Sequence, residues 1–134
     1  MSSTAPRFTH TRANDGAPLT ATDSATGLQW AVKALPRAKQ SQQIAACAAL
    51  DLDGHTDWRL PTRAELLTLV DLTKYDPCID TDAFPEFPAS WFWTSDECAW
   101  SSASAWLVGF YDGHVYYLPR GLDGFALAVR RAGQ

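Results

Sequence analysis

The sequence Asp-Trp-Arg-Leu-Pro-Thr at residues 57–62 determines where one helix of this chain begins. Thr62 is followed three residues later by Glu65, the spacing of a capping box, in which the two side chains satisfy free backbone N–H groups at a helix start. Pro61 cannot continue a preceding helix, so the chain enters the new helix from an extended segment. Leucine and valine then recur at helical spacing over residues 66–70, which predicts a helix with one buried face.

The residues around Trp58 are predicted to hold this segment in place rather than to perform chemistry. Asp57 and Arg59 flank the indole, and together they can form a charged hydrogen bond that pins the loop. Trp58 and Leu60 extend the apolar face of the helix and are expected to be buried. The stretch contains no nucleophile with an adjacent base. We therefore interpret five residues as structural: Asp57, Trp58, Arg59, Thr62 and Glu65.

Composition and charge restrict the classes of function. The chain has 134 residues, of which 46% are hydrophobic and 12% aromatic, enough for one domain with a packed core. Its formal net charge of −4 argues against binding to nucleic acid or to an anionic membrane. No apolar run resembles a signal peptide or could cross a bilayer, so the chain as written is expected to be cytoplasmic without membrane insertion. Incorporation into a phage particle and export within an assembly stay open.

The cysteines indicate neither a disulfide framework nor a zinc site. Because the chain has three of them, at least one thiol lacks a partner within a monomer. Cys47, Cys78 and Cys98 form no C-x-x-C pair and have no histidine at the spacing of zinc ligands, so no metal site is predicted. Their spacing leaves open whether Cys78 pairs with Cys98.

The first 18 residues differ in character from the rest. Residues 1–18 are polar and contain Ser, Thr, Pro and Gly, which indicates a flexible arm with Phe8 as its anchor. The folded domain is expected over residues 19–134.

The first half of this domain is predicted to contain a hairpin and a helix. Extended segments at residues 19–23 and 28–32 flank a glycine-containing turn, which predicts a hairpin with Trp30 in the core. Residues 41–54 favour a helix that serine caps and glycine stops, with Cys47 on its apolar side.

The second half is predicted to alternate irregular segments with strands. Residues 75–88 contain three prolines and several aromatics, typical of an irregular segment packed on the body. Residues 91–95 favour a strand with Trp91 and Trp93 on one face. Residues 125–129 favour a final strand beside the hairpin that precedes it.

That hairpin, over residues 105–118, is the clearest local structure in the sequence. Asp112-Gly113 between two β-rich runs is typical of a two-residue type I′ turn, which would pair Phe110 with Val115. The resulting register assigns the side chains to two faces. The face predicted to enter the core carries Trp106, Val108, Phe110, Val115 and Tyr117. The face predicted to be accessible carries Leu107, Gly109, Tyr111, His114, Tyr116 and Leu118.

The accessible face is the predicted recognition site. Aromatic rings with polar tips offer a large contact area at a small cost in entropy. The predicted ligand-binding residues are Leu107, Tyr111, Asp112, His114, Tyr116 and Arg120. Tyrosine and histidine are also ordinary on a half-exposed strand, so a purely structural role stays open. Trp93, Trp106 and Phe110 are expected to be structural.

Several motifs in this order resemble those of the domain family named after the C-terminal domain of the Legionella collagen-like protein. The motifs are Thr26-Gly27-Leu28-x-Trp30, a helix with Cys47, Asp57-Trp58-Arg59-Leu60-Pro61-Thr62-x-x-Glu65-Leu66, Phe84-Pro85, Trp93-Thr94-Ser95, Ala105-Trp106-x-x-x-Phe110-x-x-Gly113-x-Val115 and Val129-Arg130. The resemblance covers about residues 19–131. It implies an α+β domain of the C-type-lectin-like fold, with two helices packed on small twisted antiparallel sheets.

One departure from the family pattern concerns the cysteine of the first helix. The resemblance implies a partner cysteine in the closing strand, where this chain has Ala128. Cys47 is then expected to be free, which fits a reducing compartment or a phage component assembled in the cytoplasm. The calcium motifs of lectins, Glu-Pro-Asn and Trp-Asn-Asp, are absent, so the resemblance implies no calcium-dependent sugar binding. The variable proteins of diversity-generating retroelements use the corresponding surface of this fold, which is an analogy only.

Three functions are compatible with these observations. The first is a non-catalytic module that recognises a glycan or a protein partner, without a cofactor. The second is a structural domain that forms homo-oligomers, which six tryptophans would also suit. The third is an enzyme of the formylglycine-generating type, which is disfavoured because Cys98 has no second cysteine after it.

Overall fold

The computed structural model describes residues 7–133, which contain two helices and nine β-strands. The strands are β1 (Phe8–Arg12), β2 (Pro18–Asp23), β3 (Leu28–Ala31), β4 (Leu35–Ala38), β5 (Trp91–Cys98), β6 (Ser101–Gly109), β7 (Val115–Pro119), β8 (Gly124–Ala126) and β9 (Val129–Arg131). The helices are α1 (Gln40–Ala48) and α2 (Arg63–Leu67). Neither has the length and apolar character needed to span a membrane.

The strands form two sheets. One has the order β1-β2-β3-β9 and the other the order β4-β8-β5-β6-β7. Every pairing is antiparallel except the short parallel contact of β5 with β8. The predicted α+β class is therefore confirmed, whereas the finer C-type-lectin-like assignment stays a prediction.

The hairpin predicted before the first helix is present. β2 and β3 pair with Ala21 opposite Trp30, and Gly27 in the turn has a φ of 74°. Trp30 is fully buried, as predicted. Residues 8–12 were predicted to belong to a flexible arm. They instead form β1, which pairs with β2. Phe8 is the expected anchor and packs edge-on against Phe84.

The helix predicted over residues 41–54 is shorter and buries different side chains. It ends at Ala48, and the side chains it buries are Gln40, Gln43 and Cys47. The Gln40 amide donates to the carbonyl of Thr94 at 2.9 Å, so the helix attaches to β5 through a hydrogen bond. The apolar pattern did not predict this buried face because two of its three residues are glutamines.

Helix α2 begins where the capping box places it. The Thr62 hydroxyl accepts a hydrogen bond from the backbone N–H of Glu65 at 3.2 Å, and the Glu65 carboxylate accepts from the backbone N–H of Thr62 at 2.9 Å. The helix has only five residues, and the apolar pattern continues beyond it in turns. Leu66 and Leu69 are buried, as the spacing predicts.

The five-stranded sheet carries apolar side chains on both faces. Phe92, Val108 and Phe110 belong to a core cluster with Trp30 and Leu66. A second cluster on the opposite face contains Cys47, Trp58, Trp93, Leu107 and Ala128. The irregular segment of residues 75–88 packs on the first cluster, as predicted, through Ile79, Phe84 and Phe87.

The three cysteines are free and buried. Cys47 lies in the same core cluster as Ala128, and burial raises the pKa of its thiol to about 12. Cys98 was expected in a polar loop, but it is the last residue of β5 and is 3% exposed.

The closing segment does not form the single strand predicted over residues 125–129. It divides into β8, beside β5 in one sheet, and β9, beside β3 in the other. The alternation of Phe125, Leu127 and Val129 fits one continuous strand, but the chain passes between the two sheets at residues 127–128. One short segment therefore joins both sheets.

Candidate functional site

The segment around Trp58 is closed by its own hydrogen bonds. The Trp58 indole is 2% exposed, and its N–H donates to the carbonyl of His55 at 3.1 Å. The backbone of Arg59 bridges Val129 in both directions, at 2.9 and 3.0 Å, which ties this segment to β9. We call residues 57–65 the capped corner.

The two charges beside Trp58 do not pair with each other, which corrects the predicted Asp57–Arg59 hydrogen bond. Asp57 accepts from the guanidinium of Arg130 at 2.6 Å, and Arg59 binds both oxygens of Glu65, each at 2.7 Å. The alternation of an extended segment places adjacent side chains on opposite sides, so the two charges reach different partners. The hydrogen bond from Arg59 lowers the pKa of Glu65. Each charge is occupied by a structural contact.

The hairpin of β6 and β7 has a wider turn than Asp112-Gly113 predicts. Val108 pairs with Val115, and the N–H of Gly109 donates to the carbonyl of His114 at 2.7 Å. Of the two turn residues only Gly113 has a positive φ, of 84°, so the turn is not type I′. The backbone N–H of Phe110 instead donates to Ser90 at 2.8 Å, while its side chain is fully buried. Holding Phe110 in the core thus shifts the register by two residues.

A shift of two residues keeps the side chains of β6 and β7 on their predicted faces. Tyr111 and Asp112 lie in the turn, His114 and Tyr116 follow it side by side, and Trp91 of β5 contacts Tyr116. We call these five residues the hairpin patch. Tyr111 is 53% exposed and Trp91 40% exposed, so the patch presents aromatic surface to solvent.

Two contacts fix the geometry of the hairpin patch. The His114 ring nitrogen Nδ1 lies 3.1 Å from a carboxylate oxygen of Asp112, whose other oxygen accepts from the His114 backbone N–H at 3.2 Å. The Tyr116 ring is 6.2 Å from the His114 ring and 6.3 Å from the Trp91 ring, edge to face in both cases. Partial burial, the charge of Asp112 and a hydrogen bond to it raise the pKa of Tyr116. The patch therefore combines ring surface with a carboxylate and an imidazole.

Gly109 provides the space in which the Tyr116 ring rests. A Cβ atom at this position would lie 2.8 Å from the Cε2 atom of Tyr116. The ring is therefore in close contact with the backbone of β6. A side chain at position 109 would lift it away from Trp91.

Two predicted members of the recognition site lie elsewhere. Leu107 is fully buried in the core cluster that also contains Cys47 of α1, Trp58 and Trp93. Arg120 follows the far end of β7, about 20 Å from His114 at about 3.3 Å per residue. There its guanidinium binds Glu97 at 3.2 Å and the carbonyl of Ser104 at 3.4 Å. Neither side chain borders the hairpin patch.

Trp106 is only half-buried, which corrects the prediction that it lies in the core. Its ring meets those of Trp100 and Tyr117 edge to face, with centroids 5.7 and 5.4 Å away, and the Arg63 guanidinium lies 4.4 Å from its centroid. Trp100 is 65% exposed and Tyr117 50% exposed. Arg63 is the first residue of α2, so the start of this helix contacts the Trp106 ring. We call these four residues the tryptophan cluster.

The sequence reasoning did not identify Trp91, Trp100 or Tyr117 as surface aromatics. Trp91 was placed correctly on the face of Trp93, but nothing in the alternation showed that the face becomes exposed at its end. Trp100 follows Cys98 in the turn between β5 and β6, where no periodic pattern operates. Within residues 7–133, no group of three or more His, Cys, Asp or Glu side chains is arranged to hold a metal ion.

The fold and these surfaces define a small α+β domain with exposed aromatic side chains along β5, β6 and β7, among them Trp91, Trp100, Tyr111 and Tyr117. A family model described as the Lcl C-terminal domain matches residues 19–130. The chain belongs to the Lcl C-terminal domain family, as its motifs predicted. No curated protein matches its sequence.

Proposed function

We propose that this domain is a non-catalytic recognition module that binds a glycan or a protein partner through the hairpin patch. The observation that carries the proposal is the exposure of Tyr111 and Trp91 beside an ordered Asp112–His114 pair. Exposed rings stack on the apolar face of a sugar or on a partner's side chain, and the carboxylate and imidazole add directional hydrogen bonds.

The charged side chains of the capped corner are not available to a ligand, which favours the hairpin patch as the binding site. Asp57 is hydrogen-bonded to Arg130, and Arg59 is hydrogen-bonded to Glu65. The carboxylate of Asp112 contacts the imidazole and the backbone N–H of His114 and the hydroxyl of Tyr116. The His114 side chain is 69% exposed, so its imidazole is accessible to a ligand.

A matched pair of variants tests the proposal on an array of immobilised glycans and in capture of partner proteins. Replacing Tyr111 and Tyr116 together by alanine should weaken binding tenfold or more, since buried aromatic contacts dominate binding energies, at about 2 kcal/mol or more for the strongest. Tyr117→Ala, which removes the same kind of ring from the opposite face of β7, should leave binding unchanged. Equal binding by the double variant and the parent would refute the assignment.

A third variant separates ring position from ring identity. Gly109→Ala keeps every residue of the patch but forces the Tyr116 ring to move, because the new Cβ would lie 2.8 Å from it. Binding should fall while the melting temperature changes little. If Gly109→Ala binds normally, the position of Tyr116 against β6 is irrelevant to recognition.

We also propose that the protein works in a reducing compartment, the cytoplasm or a phage particle assembled there. The three buried free thiols support this, because Cys47 has alanine at position 128 in its core cluster. A disulfide in protein isolated without reductant, detected by mass spectrometry, would contradict it.

A further inference from the structure

The outer edge of β7 differs from the other sheet edges in the described residues. β9 is covered by the backbone of Arg59, and β4 contains Pro36 and Arg37, both of which discourage strand pairing. β1 follows Arg7 and ends in Arg12, so it carries positive charge at both ends. β7 reads Val-Tyr-Tyr-Leu-Pro, without charge, and proline blocks only its last position. An apolar edge of this kind is a site for pairing with another strand.

The hydrogen-bond pattern shows which groups of β7 face outward. Gly109 donates to His114, and Arg120 donates to Ala103 at 3.0 Å, so residues 114, 116, 118 and 120 bond inward to β6. Antiparallel strands alternate inward and outward positions. The N–H and C=O groups of Val115 and Tyr117 therefore point away from β6, toward solvent.

We propose that β7 pairs antiparallel with β7 of a second copy of this chain. In the register centred on Tyr116, Val115 of each copy lies opposite Tyr117 of the other. This register alone uses both outward N–H groups and both outward C=O groups of each strand, which gives four hydrogen bonds. Shifting the centre to Tyr117 places Val115 opposite Pro119, which has no N–H to donate and whose carbonyl already accepts from the backbone N–H of Leu122 at 3.1 Å.

The absence of charge along β7 is compatible with this partner. The β7 residues that meet in the register centred on Tyr116 are uncharged, so a second copy brings no like charges face to face. The same surface patch serves both copies, as a two-fold axis requires.

The pairing also covers exposed apolar surface in the tryptophan cluster. Val115 of the second copy lies on the same face as Tyr117, whose ring is 50% exposed in the single chain. The Tyr116 ring instead leans over Gly109, away from the edge, so it does not obstruct the second strand. The proposal is independent of what the hairpin patch binds, and it places two such patches on one face of a continuous sheet.

Sedimentation and amide exchange of the full chain test the proposal together. The mass should rise from one chain to two with increasing protein concentration. The amides of Val115 and Tyr117 should become protected from hydrogen exchange over the same range, while those of Tyr116 and Leu118 are protected throughout. A mass of one chain at every concentration would overturn the proposal, as would a dimer in which Val115 and Tyr117 still exchange freely.

Variants test the register and distinguish it from other contacts. Tyr117→Lys should weaken the dimer about tenfold by placing charge in two cross-strand pairs, whereas Thr9→Lys on β1 adds the same charge without effect. Adding Val115→Glu to Tyr117→Lys should restore the dimer, because each new glutamate then lies opposite a new lysine of the other copy. Melting temperatures of each variant verify folding. A dimer unaffected by Tyr117→Lys, or not restored by the paired charges, refutes this register.

Discussion

The capped corner and the hairpin patch contain the same kinds of residue: a tryptophan, a carboxylate, and a cationic side chain or histidine. These side chains are engaged in internal contacts in the corner and are exposed to solvent in the patch. In the corner, Trp58 is buried and Arg59 and Glu65 hold each other in a bidentate pair. In the patch, Trp91 and Tyr111 are exposed, and Asp112 orients only its neighbours. The residue type of a polar side chain therefore does not distinguish a structural surface from a recognition surface. The contacts that the side chain makes within the fold do.

The largest expected difference between these regions is in the free energy of unfolding. Trp58→Ala should cost about 3–5 kcal/mol, because a buried ring leaves a cavity. Trp106→Ala in the half-exposed tryptophan cluster should cost about 1–2 kcal/mol, since less area returns to water. Urea denaturation of both variants measures this directly. Equal losses would mean that burial does not distinguish the two tryptophans.

A smaller effect is expected from the capping box itself. Thr62→Ala removes the hydroxyl that accepts from the backbone N–H of Glu65, and the loss should be about 0.5–2 kcal/mol. Glu65→Gln keeps an acceptor for the Thr62 N–H but removes the ion pair with Arg59, and should cost less than about 1 kcal/mol. The order of the two variants in urea denaturation tests whether the cap or the charge matters more. A larger loss in Glu65→Gln would reverse our account.

The smallest effect is the acid dependence of the corner. The hydrogen bond from Arg59 holds the pKa of Glu65 below its ordinary value of 4.5. A carboxylate with a lowered pKa in the folded state stabilises it fully above pH 4.5, and the contribution is lost as the pH falls through the folded pKa. Unfolding free energies of the parent and of Glu65→Gln should therefore converge below pH 4.5. A gap that persists at low pH would assign the difference to the cap.

The sequence predicted those parts of the fold that local chemistry determines. The capping box at Thr62 and the turn at Gly27 depend on residues a few positions apart, and both are where predicted. The register of the hairpin failed because Phe110 is held by Ser90 and by the core, contacts that no local pattern contains. The same limit explains why residues 8–12 were not predicted as a strand.

The candidate site was predicted in part for the same reason. Alternation assigned His114 and Tyr116 to one face, and their rings are neighbours in the structure. It carries no information on which elements cover that face. The burial of Leu107 and the partial exposure of Trp106 depend on which elements pack over each position, which is a property of the whole fold.

The division of residues 124–131 between two sheets affects how the domain folds. β9 completes one sheet beside β3, and β8 lies within the other, between β4 and β5. The buried hydrogen bond from Arg130 to Gln29 spans 101 positions of the sequence. Contacts so distant along the chain slow folding, because a long loop must close before they form. On the ribosome, neither sheet can be completed until residues 124–131 have left the exit tunnel, so both sheets of this domain depend on the same late-emerging segment.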